Sequence, residues 1–167
     1  NASGYDDSSV YIGFVGNELD ATNAATGEPL ALSQYQSEHW YTLDTLSSGI
    51  DLQSFVGGRI YIGYGHPWSF ERAGYEPDPA NPDDPNYFLR YDKIEITCTP
   101  GPADVADTTS IDYFSIPVEL RTYEGGVGGR LVGSVTASPA DAIVSALAGA
   151  TNPARAAIVA SNNAFVR

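Results

Sequence analysis

Two carboxylates set against alternating apolar residues are the side chains of this sequence best suited to chemistry. In a strand predicted over Tyr87–Thr97, period-two alternation puts Ile94, Ile96 and the following Cys98 on one face. Lys93, Glu95 and Thr97 share the other, which places Glu95 on the exposed or cleft side. Beyond a Pro/Gly/Asp-rich loop, Asp112 alternates with Phe114 and Ile116, while Ile111, Tyr113 and Ser115 point the opposite way. An acid on an otherwise apolar face is partly desolvated, which favours its neutral form and suits it to proton transfer. If the two strands pair antiparallel about the loop centre, Glu95 and Asp112 fall nearly opposite each other. Two carboxylates facing one cleft can divide acid and base work, the minimum equipment for glycoside hydrolysis. A separation of roughly 6.5–9.5 Å marks inversion and one of about 5–5.5 Å retention. The pattern alone does not select a sugar as substrate. The plainer alternative keeps Glu95 as a solvated strand residue and Asp112 as a turn-adjacent acid, in a chain holding 21 acids.

Aromatic residues are the second feature. Trp40, Tyr41, Tyr61, Tyr64, Trp68, Phe70, Tyr75 and Tyr87 gather between positions 40 and 87. The C–H faces of sugar rings pack on flat aromatic faces. His66-Pro67-Trp68 follows a strand and precedes a loop, so Trp68 and Tyr64 are the expected sugar contacts, with Tyr61 in the core. The loop Pro77–Asn86 carries Asp78, Asn81, Asp83, Asp84 and Asn86, oxygen donors of the kind calcium takes. Its spacing matches no EF-hand, and Pro77, Pro79, Pro82 and Pro85 already explain it as a rigid surface turn. No metal ion and no cofactor is expected. His39 and His66 lack the partners of a catalytic triad or zinc site. The single cysteine, Cys98, excludes an internal disulfide framework and any multi-cysteine metal site.

These residues need a β framework. Residues 9–16, 59–64, 87–97, 110–123 and 129–136 read as strands, with Leu43–Leu46 and Phe55–Val56 as weaker candidates. Turn-rich stretches lie at Asn23–Glu28, Gly57-Gly58, Tyr75–Asn86 and Thr99–Thr109, and Gly125–Gly129 reads as a hairpin loop. Strands at this spacing without intervening helices imply a mainly β fold, an antiparallel sandwich or barrel. The texture changes at Ser138-Pro139-Ala140-Asp141, a helix start signal. Helices are expected over Ala142–Leu147 and Ala154–Ala160, with Ala164–Arg167 opening a further strand. The domain reading is therefore a β-domain over residues 1–137 and a short helical segment over 138–167, the start of a further domain or a piece docked on the first.

The chain has 167 residues, enough for a sizeable core, with 43% hydrophobic and 17% charged residues. Acids outnumber bases 21 to 8, a formal charge of −13. That balance repels phosphate backbones and anionic lipid, so neither nucleic acid nor membrane is an expected partner. Neutral sugars remain open. No run of 18 apolar residues occurs to span a bilayer. A first residue of Asn1 without a visible signal peptide favours a processed, secreted chain.

The stretches Asn81–Thr97 (NPDDPNYFLRYDKIEIT) and Ile111–Leu120 (IDYFSIPVEL) resemble the β-domain of glycoside hydrolase family 64. Those are laminaripentaose-producing endo-β-1,3-glucanases whose barrel is related to thaumatin-like proteins. Arg59–Gly65 (RIYIGYG) is similar to another strand of that family, and the likeness runs loosely from Val10 to Val132. The resemblance implies a thaumatin-like barrel in which Glu95 is the general acid and Asp112 the general base of an inverting mechanism. It implies β-1,3-glucan as the partner; the expected substrate-binding residues are Tyr64, His66, Trp68 and Arg90. Family enzymes carry a second α/β domain, and a cleft lies between the two. The chain would thus be a glucanase or its barrel portion; the alternative is a non-catalytic glucan-binding or assembly module that self-associates or joins a missing second domain.

Overall fold

The structure, a computed structural model, describes residues 4–33, 39–68, 75–78, 81–101, 104–108, 114–125, 128–135, 142–143, 145–146, 158–159 and 165–166. It is mainly β, with antiparallel sheets, as the sequence implies. The chain divides into two compact units, Asn1–Ala106 and Asp107–Arg167. The boundary expected at residues 137/138 falls inside the second.

The first unit is organised by one long strand. In chain order the strands of its sheet are β1 (Val10–Val15), β2 (Glu18–Asn23), β3 (Tyr41–Thr42), β4 (Ile50–Tyr64), β5 (Tyr91–Cys98) and β6 (Val105–Thr108), whose first two residues close the unit. The sheet runs β3-β1-β4-β5-β6, and β2 pairs with the first half of β4. Residues 59–64 were expected to be a strand of their own, with Gly57-Gly58 as a turn. Instead β4 continues through both glycines for 15 residues. The physical reason is a pair of bulges. One extra residue enters β4 between the pairs Asp20↔Ser54 and Ala21↔Leu52, and another between Phe55↔Cys98 and Gly58↔Ile96. Each bulge shifts the alternation by one. Ile50 and Leu52, then Phe55, then Ile60 and Ile62 therefore all face the core with Val10, Ile12, Phe14 and Ala21. Gly57 takes φ +55°, a left-handed conformation open to glycine at low cost. Gly58 lies beneath the fully buried Phe55 ring, where a Cβ would come within 2.5 Å of it.

Other differences from expectation are local. Leu43–Leu46 forms a turn rather than a strand, because the Thr45 hydroxyl and the Leu46 N–H both donate to the Thr42 carbonyl. β2 escapes composition-based reading because Glu18, Asp20 and Asn23 dilute its pattern. β6 falls in a stretch expected to be a turn.

In the second unit, β7 (Leu120–Glu124) and β8 (Arg130–Val135) form the hairpin expected about the 125–129 glycine loop. Gly125 and Gly128 both adopt positive φ there. Arg130 pairs with Glu124 across its base. Residues 142, 143, 145 and 146 are helical. The second expected helix, Ala154–Ala160, is corrected at its end, where Ile158–Val159 is strand β9, paired with β10 (Phe165–Val166). The β-branched Ile-Val pair prefers a strand. The rest of that stretch, and the 138–141 start signal, lie outside the described residues. Among the described residues, no helix is long and apolar enough to cross a membrane.

On the sheet face opposite the core, Trp40 covers Gly13, where a Cβ would meet its ring at 2.7 Å. The indole cannot easily retreat, because its Nε1–H donates to the Trp68 carbonyl at 2.9 Å. Gly13→Ala is expected to cost about 1–3 kcal/mol, whereas Gly101→Ala, in open space, should stay within about 0.5 kcal/mol of wild type. Urea unfolding followed by the fluorescence of the two tryptophans measures both. Equal midpoints for the two variants would contradict the packing described.

Candidate active site

The register of β4 with β5 assembles one polar row. Arg59 stands opposite Glu95, Tyr61 opposite Lys93 and Gly63 opposite Tyr91. Alternation turns all of these away from the hydrophobic core, as the sequence implied for Lys93, Glu95 and Thr97. At one end of the row Arg59 Nε donates to Glu95 Oε1 at 2.9 Å. Both side chains keep substantial exposure, 47% and 40% respectively. Thr97 Oγ1 accepts the Gly57 N–H, tying the bulge to the same edge.

Toward the other end the row becomes covered. Glu76 accepts the Tyr61 hydroxyl at 2.8 Å, the Tyr91 hydroxyl at 3.1 Å and the Lys93 ammonium at 2.9 and 3.1 Å. Trp68 packs its ring against Trp40, Tyr61 and Tyr91. Gly63 makes room for it, with a Cβ position 3.3 Å from that ring. Burial, followed by the charge and hydrogen bond of Glu76, pushes the Tyr61 phenol well above the ordinary tyrosine range, and nearby Arg59 offsets part of this. Burial by itself would lower the Arg59 guanidinium, but Tyr61 and Glu95 outweigh it and hold Arg59 above its ordinary value.

The sequence-predicted residues divide into two groups. Glu95 and Trp68 lie on the polar-row face. Trp68 was expected as an open sugar platform, but it is only 4% exposed because neighbouring rings cover it. Tyr64 and Arg90 meet on the opposite face, where the Arg90 guanidinium lies 5.3 Å from the Tyr64 ring centre. Tyr5 stacks on Tyr64 at 4.8 Å and leaves 42% of its surface exposed. His66 is exposed two residues beyond Tyr64. Tyr64 is five residues along β4 from Arg59, roughly 16 Å, so this group does not converge with Glu95. Asp112 lies outside the described residues.

Two residues of the site were not singled out from sequence. Arg59 figured as part of a strand, although its place opposite Glu95 follows once the register is known. Glu76 sits in a Pro-rich loop without periodicity, and its flanking Tyr75 and Pro77 gave no sign of a half-buried acceptor. In the neighbouring acidic loop the Asp84 carboxylate accepts the Tyr75 hydroxyl and the N–H groups of Asp78 and Asn86, which organises the turn. Among the described residues, no three His, Cys, Asp or Glu side chains gather as a metal site.

The antiparallel β fold is shared with solved structures of β-1,3-glucanases. A β-1,3-glucanase domain from Clostridium beijerinckii superposes with a TM-score of 0.66 at 19% identity, over 98% of this chain and 50% of that one. A laminaripentaose-producing β-1,3-glucanase from Paenibacillus barengoltzii gives 0.63 at 18% identity, over 90% and 42%. The same Paenibacillus enzyme complexed with laminarihexaose gives 0.58 at 20% identity, over 86% and 39%. The chain therefore spans half or less of the length of these structures. No curated protein sequence matches it. The model of glycoside hydrolase family 64, described as β-1,3-glucanase, matches residues 4–164, and the chain belongs to that family.

The raised Tyr61 pKa gives a pH-dependent contribution to stability. The unfolded chain gives up tyrosine protons near pH 10, whereas folded Tyr61 keeps its proton to higher pH. The stabilisation is thus complete below about pH 10 and lost as pH rises beyond it. The wild-type unfolding midpoint should fall across this range more steeply than that of Tyr61→Phe. Identical slopes would contradict the assignment.

Proposed function

We propose that this chain supplies the β-domain of an extracellular glycoside hydrolase that cleaves β-1,3-glucan with inversion, Glu95 acting as general acid and Asp112 as general base. The observation that carries the reading is Glu95 itself. It is a carboxylate held on the open end of a rigid polar row, in a chain of a family described as β-1,3-glucanases. The solved relative bound to laminarihexaose supports the substrate class. A formal charge of −13 suits a neutral polymer better than an anionic one.

In this mechanism Glu95 donates a proton to the glycosidic oxygen as the C1–O bond breaks. Water attacks C1 from the opposite face and gives its proton to Asp112. Arg59 sits beside the carboxylate that results. Tyr64, His66 and Arg90 lie away from the scissile bond and contact outlying parts of the polymer. Trp68 packs over the covered end of the row and holds Tyr61 and Tyr91 in place.

The test is reducing-sugar release from laminarin, with the product anomer read by proton NMR. Wild type should form the inverted anomer, and Glu95→Gln and Asp112→Asn should each lose at least about a hundredfold in kcat. Wild-type rates in either variant would overturn the pairing. Glucan binding without product would replace it with a non-catalytic binding module.

A further inference from the structure

We propose that Arg59 is the positioning residue for Glu95: its Nε–H holds Oε1 and thereby presents Oε2 as the oxygen that carries the transferred proton. The inference rests on the reading of Glu95 as general acid. Its basis is a single directed contact, Arg59 Nε to Glu95 Oε1 at 2.9 Å, between residues directly opposite in an antiparallel ladder.

A glutamate on a strand with 40% of its side chain exposed has several rotamers open to it. A general acid must hold its proton within hydrogen-bond reach of the leaving oxygen, and misplacement by about 1 Å can cost a hundredfold in rate. One contact at one oxygen resolves this. The protonated acid accepts from Arg59 at Oε1 and donates from Oε2. As the proton passes to the leaving oxygen, the carboxylate left behind develops its charge beside a cation already in place.

Arg59 is itself held by the fold. The Gly57-Gly58 bulge immediately precedes it and sets the alternation that turns it toward Glu95. Tyr61, two residues on and on the same face, is anchored to Glu76, which also takes Lys93 and Tyr91. The planar guanidinium offers its donors in a fixed geometry that a lysine ammonium lacks. The pair is too exposed to contribute much to folding, so a stabilising role does not account for it.

Arg59→Met keeps most of the apolar stem and removes the donor. It is expected to lower kcat on laminarin about 10–100-fold, with KM within about twofold of wild type and an unchanged urea midpoint. Arg59→Lys should recover part of the loss. A wild-type kcat in Arg59→Met alongside an inactive Glu95→Gln would overturn the positioning role while leaving the acid in place. An active Glu95→Gln would instead overturn the acid assignment on which it rests. A second measurement needs no turnover: the Arg59 Nε–H resonance in 15N-labelled protein should shift and exchange faster in Glu95→Gln. An unmoved resonance would show that the contact is absent in solution and overturn the proposal.

Discussion

The constraint on which the rest of the first unit depends is that a 15-residue strand must keep one face toward one core. A regular strand alternates without interruption, and the apolar residues of β4 do not. They fall at 50 and 52, then 55, then 60 and 62. Two one-residue bulges reconcile this sequence with a single core, and each reverses the alternation. The second bulge has a consequence beyond packing. It turns Arg59 outward at the position where β5 presents Glu95, so the ion pair of the site follows from the same adjustment that buries Phe55. Gly57 and Gly58 make that adjustment possible, one through a left-handed φ and the other by leaving space beneath an aromatic ring.

A gradient of burial runs along the outward face. At the Gly63 end, two tryptophans close over strand glycines and a half-buried carboxylate gathers two phenols and an ammonium. At the Arg59 end the row opens to solvent. A half-buried acid such as Glu76 is tolerable because three donors satisfy it, and that network fixes the strands that carry the exposed pair. Under the proposed function, this support would hold Glu95 in place for proton transfer. Tyr5, Tyr64 and Arg90 form a separate stack on the other face of the sheet.

Much of this was legible in the sequence, though unevenly. The face of Glu95 followed from Ile94, Ile96 and Cys98, because β5 is regular over that span. The β7–β8 hairpin followed from its glycine-rich loop. β4 was broken in two because simple alternation cannot register a bulge, and paired glycines read more naturally as a turn. The burial of Trp68 was missed for a related reason, since an aromatic cluster looks the same whether it lines a cleft or fills a core. Gly13 and Gly63 were the available signal, glycines within strands that mark close approach by another group. Glu76 gave none, because its partners come from β4 and β5 and are brought to it by tertiary structure alone.

Under the proposed function, β-1,3-glucan lies along the Arg59 end of the polar row. The most direct measurement is a titration of 15N-labelled protein with laminarihexaose, followed amide by amide. The account predicts the largest shifts at Arg59 and Tyr61 on β4 and at Lys93, Glu95 and Thr97 on β5. Shifts confined to Tyr5, Tyr64, His66 and Arg90, with the Glu95 face unmoved, would contradict it.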